Sequence, residues 1–375
     1  MSWETSEQLD FGLDARFLDS RLGLTFDWYK KTTKDWLIVA PRIAIEGTNP
    51  AYVNGGDVEN KGIEIALTWN DRIGSDFSYN IGVNFATNKN EVTRIANENG
   101  YINGGGSILS QGTEYIYRAE IGKPIGYFYG MSYSGIWQNQ AQIDAANASS
   151  IERYKEMHKN DMTPEEIAKY KGMYADAVPG DCIWDDWNGD GVIVGKGEGA
   201  GTDKHEIGNP NPDVMLGINL GLQYKGFDFA VNGAGAFGMQ VMRSYRSYGD
   251  DPDENYDTSI FNRWHGEGTS NTMPRISGNG HPNTIWVSER YMEDADYFKI
   301  KTVTLGYDFK NIWKTCPLQQ LRLYVQAQNL YTFTGYTGLD PEISSTGGGN
   351  NWESGIDLGL YPPARTFLIG ASIKF

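Results

Sequence analysis

Residues 9–28 read LDFGLDARFLDSRLGLTFDW. Taken two at a time, they separate into two faces. Leu9, Phe11, Leu13, Ala15 and Phe17 share one side, and Asp10, Gly12, Asp14 and Arg16 share the other. A short turn, Asp19-Ser20-Arg21, follows. Leu22, Leu24, Phe26 and Trp28 then alternate with Gly23, Thr25, Asp27 and Tyr29. In a strand, successive side chains point to opposite faces, so this period of two predicts a hairpin with one apolar and one polar face.

The pattern recurs along the chain. Ile63, Ile65, Leu67 and Trp69 form one apolar row, and Phe77, Tyr79, Ile81, Val83 and Phe85 another. Leu216 to Tyr224, Phe227 to Val231, Val303 to Phe309, Leu321 to Ala327 and Phe367 to Phe375 repeat it. At 39% hydrophobic residues, four alternate positions are all apolar by chance about two times in a hundred. Nine such segments exceed chance. None carries a charge in the middle of its apolar row, where an Arg or Lys facing lipid would cost about 2–4 kcal/mol. The opposite rows carry Asp, Glu, Arg, Asn and Gln freely, as a wet lumen permits.

A soluble β-sandwich also alternates. Connection lengths separate the two. Asp19–Arg21, Asn70–Asp76 and Lys225-Gly226 are short, and Lys310–Gln320 is moderate. Long loops are expected at about 33–58, 87–126, 138–213, 245–296 and 335–365. Short turns at one end and long loops at the other mark a transmembrane antiparallel β-barrel, an all-β fold. This places the long loops outside the cell. About 10–11 strands are expected. The segment Tyr127–Trp137 disturbs the count: either it pairs with a partner such as Thr113–Ile121 as a hairpin, or both lie in a loop.

Composition agrees with this class. There are 23 Tyr and 11 Trp in 375 residues, residues that favour boundaries with one apolar and one wet side. No apolar run reaches the roughly 18 residues of a membrane-spanning helix. A net charge of −16 argues against a nucleic-acid surface, which needs basic patches. The first residues lack the basic and apolar regions of a signal peptide, which suggests an incomplete chain, since open edges cannot sit unpaired in lipid.

The loops hold the candidate chemistry. Asp186-Trp187-Asn188-Gly189-Asp190-Gly191 matches the first half of a calcium loop. Asp186, Asn188 and Asp190 would supply side-chain oxygens, Val192 its carbonyl, and Gly191 the sharp turn. Position 12 is Gly197, without a carboxylate, so Glu198 or Asp203 would have to substitute. An ion-free Gly/Asp turn is the alternative. Trp137, Trp184, Trp187 and Trp264 are candidates for stacking on a sugar ring, against the blander role of loop packing. Thr163-Pro164-Glu165-Glu166 is a capping box with proline at the first helical position. The Gly-rich run 195–201 does not follow a strand and open a helix, so it is read as loop, not a phosphate site. No nucleophile elbow or zinc-protease spacing occurs, and no enzyme is expected. Cys182 falls in a long loop and Cys316 in the opposite turn, so no disulfide between them is expected.

Several blocks resemble the SusC/RagA family of TonB-dependent transporters of Bacteroidetes outer membranes. They include WETSEQLDFGLD, NGGDVENKGIEIAL, GKPIGYFYG with SGIWQ, DWNGDG followed by IGNPNPD, YFKIKTVTLGYDF, LRLYVQAQNLYTFTGYTGLDPE and YPPARTFLIGASIKF. The chain departs from the family after Gly191, where VIVGKGEGAGTD replaces the Asp-rich end of a calcium-like loop. The resemblance implies the C-terminal part of a barrel of about 22 strands, the plug domain and earlier strands being absent. It also implies import of oligosaccharides or peptides, a SusD-like surface lipoprotein as lid, and coupling to TonB through the missing N-terminal part. A soluble or surface-anchored calcium-binding, glycan-binding β protein is the competing reading.

Overall fold

The computed structural model describes residues 3–39, 52–105, 114–243, 258–278, 280–343 and 352–375. Its dominant feature is one ten-stranded sheet. The strands are β1 (Thr5–Phe17), β2 (Leu22–Val39), β3 (Tyr52–Ile73), β4 (Phe77–Thr87), β5 (Lys89–Ile95), β6 (Val214–Tyr224), β7 (Phe227–Phe237), β8 (Tyr297–Asp308), β9 (Gln320–Thr334) and β10 (Thr366–Lys374). Their lateral order is β1-β2-β3-β4-β6-β7-β8-β9-β10, and β5 continues the line of β4 by pairing with the far half of β3. Every pairing is antiparallel. The ten strands agree with the 10–11 expected, and because β5 continues the line of β4 they fill nine lateral positions.

The register explains why the alternation is so regular. Phe11 lies opposite Trp28, Phe26 opposite Ile65, and Leu67 opposite Val83. Val83 then meets Ile218, Leu220 meets Val231, and Phe229 meets Leu305. Leu305 meets Val325, and Val325 meets Ile369. The nine apolar rows merge into one continuous face. A slip of one residue anywhere would turn a row inward. The reverse face is built from Asp27, Glu64, Asn80, Asn84, Asn219, Asn232, Thr302, Thr304 and Gln326. On it, Arg322 Nε donates to Asp228 Oδ1 at 2.7 Å. The pair lies over Gly306, where a side chain would collide with both partners.

At the short-turn end an aromatic band runs across the apolar face. Phe77 contacts Tyr79 and Tyr224, Phe227 contacts Tyr307 at 4.4 Å, and Tyr307 contacts Phe309 at 5.1 Å. Trp69 Nε1 donates to the Tyr79 hydroxyl at 3.2 Å. The β6–β7 turn has positive φ at both central residues, Lys225 at 46° and Gly226 at 88°, which suits the twist of a two-residue hairpin.

The loop boundaries differ from expectation. The segment taken as a loop at 33–58 is mostly strand: β2 continues to Val39 and β3 begins at Tyr52. The first part of 87–126 is β5. These extensions lack an apolar row, so alternation ends before pairing does. Residues 40–51, 106–113, 244–257, 279 and 344–351, which include parts of four expected loops, lie outside the described residues.

The remaining excursions pack together at one end of the sheet as a cap. Tyr127–Gly130 pairs with Tyr117–Glu120 and with His205–Gly208, and Tyr101–Asn103 completes a four-stranded sheet separate from the wall. So the disturbing segment forms a hairpin and also lies within a loop excursion. Thr113, named as part of its partner, is outside the described residues. Cys182–Trp184 pairs with Tyr133–Ile136. A third small sheet joins Gln240–Arg243, Met292–Asp294 and Ile356–Asp357. Among the described residues, the largest fully buried side chains, including Ile116, Tyr117, Phe128, Met131, Met242 and Ile356, sit in this cap, with Val92 of β5 the exception in the wall sheet. Among the described residues no helix is long and apolar enough to cross a membrane.

Candidate functional site in the cap

Two arrangements in the cap have chemical content: an acidic loop and the cleft beside it. The loop begins where strand Cys182–Trp184 ends. Asp186 Oδ2 accepts from Gly191 N at 3.0 Å. Asn188 Oδ1 accepts from Asp190 N at 2.9 Å, and Asp190 Oδ1 accepts from Val192 N at 2.8 Å. Each side-chain oxygen thus closes the next turn, and the glycines at 189 and 191 take positive φ at no steric cost. Helix α1 (Gln140–His158) brings Arg153 onto Asp186 Oδ2.

Asp203 closes the loop from below. It is fully buried. Its Oδ1 accepts from Trp187 N at 2.9 Å, and its Oδ2 accepts from Val194 N at 2.7 Å. Burial raises its carboxyl above the usual range, although these amides work in the opposite sense. Glu198, the other candidate substitute, makes no such contact among the described residues. Asp186 Oδ1 is buried and has no hydrogen-bond partner among the described residues. Among the described residues, no three His, Cys, Asp or Glu side chains converge as a ready metal cluster. A cation here would need oxygens from Asn188 and the backbone as well.

Beside the loop lies a cleft of about 780 Å³. Its walls include Tyr170, Tyr174, Trp184, Ile193 and Trp286. Asp181 and Asn283 also line it; the buried Asp181 accepts on Oδ1 from the half-buried Arg275 Nε at 2.7 Å and from Asn283 Nδ2 at 2.9 Å. The Tyr174 hydroxyl donates to Trp184 O at 3.0 Å, and burial pushes its pKa up to about 12. His281 caps the short helix Pro282–Ile285 by accepting from Asn283 N at 3.2 Å. Burial lowers the pKa of His281; Asp181 nearby works against the shift and Arg275 with it. Gly195, in the Gly-rich run, lies against the Trp286 ring, where a Cβ would overlap it.

The four candidate tryptophans are not brought together as one platform. Trp137 and Trp184 are each only 6% exposed. Trp137 meets Tyr174 edge-on at 5.0 Å, and Trp184 belongs to a core with Met131, Ile136 and Cys182. Trp264 packs against that core and over Gly180. Trp137 and Trp264 serve packing, and Trp184 packs there while also lining the cleft. Trp187 is 61% exposed and stacks on His205 at 3.5 Å with the rings 4° from parallel. Sequence reasoning missed Arg153, Trp286 and His281. Arg153 lies 33 residues from Asp186. Trp286 and His281 are still farther along the chain from Trp184 and Asp181, which they meet in the fold. No local spacing could reveal such partners.

Comparison with known proteins gives a consistent result. Residues 1–161 match the family described as TonB dependent receptor-like, beta-barrel. TonB-dependent receptor P3 of Formosa agariphila is 31% identical over 382 residues, covering 100% of this chain and 34% of the relative. TonB-dependent receptor SusC of Bacteroides thetaiotaomicron is 28% identical over 385 residues, covering 100% and 32%. Among solved structures, the RagAB peptide transporter superposes with a TM-score of 0.72 at 22% identity, covering 100% of this chain and 36% of that one. This last likeness is one of fold. The chain spans about a third of the length of the curated relatives it matches.

Proposed function

The chain belongs to the SusC-like TonB-dependent receptors as a part of their β-barrel, and from that premise we propose that it forms lumen wall and outer loops of an outer-membrane importer. The observation that carries this reading is the uninterrupted apolar face, in register across nine strand positions, backed by a polar face. Lipid would cover the first and water the second. Among the described residues the two edges of the sheet, β1 and β10, each have one neighbour. In a membrane they would need further strands to satisfy their backbone groups.

On this reading the cap faces the outside of the cell and the short turns face the periplasm. The cargo class is oligosaccharide or peptide. A SusD-like surface lipoprotein would cover the cap, and TonB would supply the energy through other parts of the receptor. The cap's role is recognition, not catalysis. Of the four candidate tryptophans, Trp187 is the one presented for stacking on cargo.

The test is fractionation of native cells with a heat-modifiability gel, paired with uptake of labelled oligosaccharides and peptides in strains with and without the gene. The expected result is a heat-modifiable outer-membrane band and loss of uptake of one cargo class in the deletion strain. A band that is soluble and insensitive to heating, with uptake unchanged, would sink the proposal.

A further inference from the structure

The turn between β8 and β9 is the longest connection at the short-turn end of the sheet, and it opens with a short helix, Phe309–Asn311. It is tied down from within. Asp308 Oδ1 accepts from Lys310 N at 3.0 Å, and Lys310 Nζ donates to the carbonyls of Cys316 and Leu318 at 2.8 and 3.0 Å. Cys316 is buried beneath it. Yet Ile312 and Trp313 are 68% and 51% exposed. A folded turn that holds out two large apolar side chains calls for an apolar surface to receive them.

Their position says which surface. Ile312 N and Trp313 N both donate to Phe309 O, at 3.2 and 2.8 Å. Phe309 ends the aromatic band on the apolar face, where it meets Tyr307. Asp308 and Asn311 instead line a recess on the polar face with Ser78, Gln223 and Arg322, and neither Ile312 nor Trp313 lines it. β8 and β9 have β7 and β10 on their outer sides, so strands added at the sheet edges would not cover this turn. Lys314 follows directly, exposed and without an ion pair among the described residues.

We propose that the β8–β9 turn is a lipid-binding foot. Ile312 and Trp313 enter the headgroup region of the adjoining leaflet, a depth that suits an indole with one apolar and one wet side. Lys314 binds the phosphate of an anionic phospholipid there. The inference rests on the barrel reading above and adds a ligand to it.

The test uses the whole receptor in nanodiscs whose lipids carry bromine either high on the acyl chains or near their ends. Shallow bromines should quench native fluorescence more than that of W313F, whereas deep bromines and aqueous acrylamide should quench the two alike. Native mass spectrometry should show phosphatidylglycerol retained over phosphatidylcholine. K314Q should lower phosphatidylglycerol retention roughly fivefold, the effect of one charge near an anionic surface, and leave phosphatidylcholine unchanged. If acrylamide quenches Trp313 and shallow bromines do not, the foot is overturned; quenching by neither means that protein covers the ring, and overturns it as well. Equal lipid retention by native protein and K314Q would overturn the headgroup contact. The heat-modifiable band of the native receptor is read alongside, since its absence would refute the barrel reading itself.

Discussion

The four candidate tryptophans have the same chemistry and different fates, and burial decides between them. Trp184 sits in a core with Met131, Ile136 and Cys182. Trp184→Ala should cost about 3–5 kcal/mol through lost burial and the cavity left behind, read as a drop in the thermal stability of the cap. Trp187→Ala removes a mostly exposed ring and should leave Tm within a few degrees while lowering cargo affinity. Equal destabilisation by the two substitutions would contradict their placement. His281 makes a different prediction. Its folded pKa lies below the ordinary value of 6.5, so the unfolded chain takes up the proton more readily. Cap stability then falls as pH drops below about 6.5 and is fully present above it. Proteolysis of the cap at pH 5 and pH 8 should show faster cleavage in acid. His281→Asn, which keeps an N-cap acceptor, should flatten the difference.

At the scale of elements, sequence legibility follows the solvent on each side of a strand. Where lipid-facing residues must be apolar, rows such as Phe77 to Phe85 and Leu216 to Tyr224 mark the strands and their faces directly. Beyond the apolar band nothing forces alternation. Thr33 to Val39 and Tyr52 to Val58 therefore read as loop although they lie in paired strands. The acidic turn was legible because Asp186, Asn188 and Asp190 lie close together in sequence. Its closure by Asp203 was legible only as one of two choices, since a backbone excursion decides which carboxylate arrives. The faces make a direct prediction. Ile81 points to the apolar side, between Trp69 and Leu220. Ile81→Arg should cost about 2–4 kcal/mol in a membrane and reduce the heat-modifiable band. Asn84→Arg, on the polar face, should fold normally, and impaired folding of both variants alike would refute the assignment of faces.

At the scale of the molecule, the wall and the cap are stabilised by different physics. The wall is held by ladders of backbone hydrogen bonds and by the lipid its apolar face would meet. The cap owns the dense packing, with side chains from distant segments such as Ile116, Met242 and Ile356 in one cluster. Hydrophobic cohesion of the cap should therefore vary with temperature and denaturant as in a water-soluble domain, independently of detergent. The two cysteines lie one in each region: Cys182 in the cap, and Cys316 in the turn between β8 and β9 at the other end, both buried and neither in a disulfide. They form a pair of chemical stopwatches. A thiol reagent added to the folded protein would time the opening of each end separately. Cys182 should become reactive early in a urea series and Cys316 only when the strands themselves come apart; simultaneous labelling would mean that cap and wall open as a single unit.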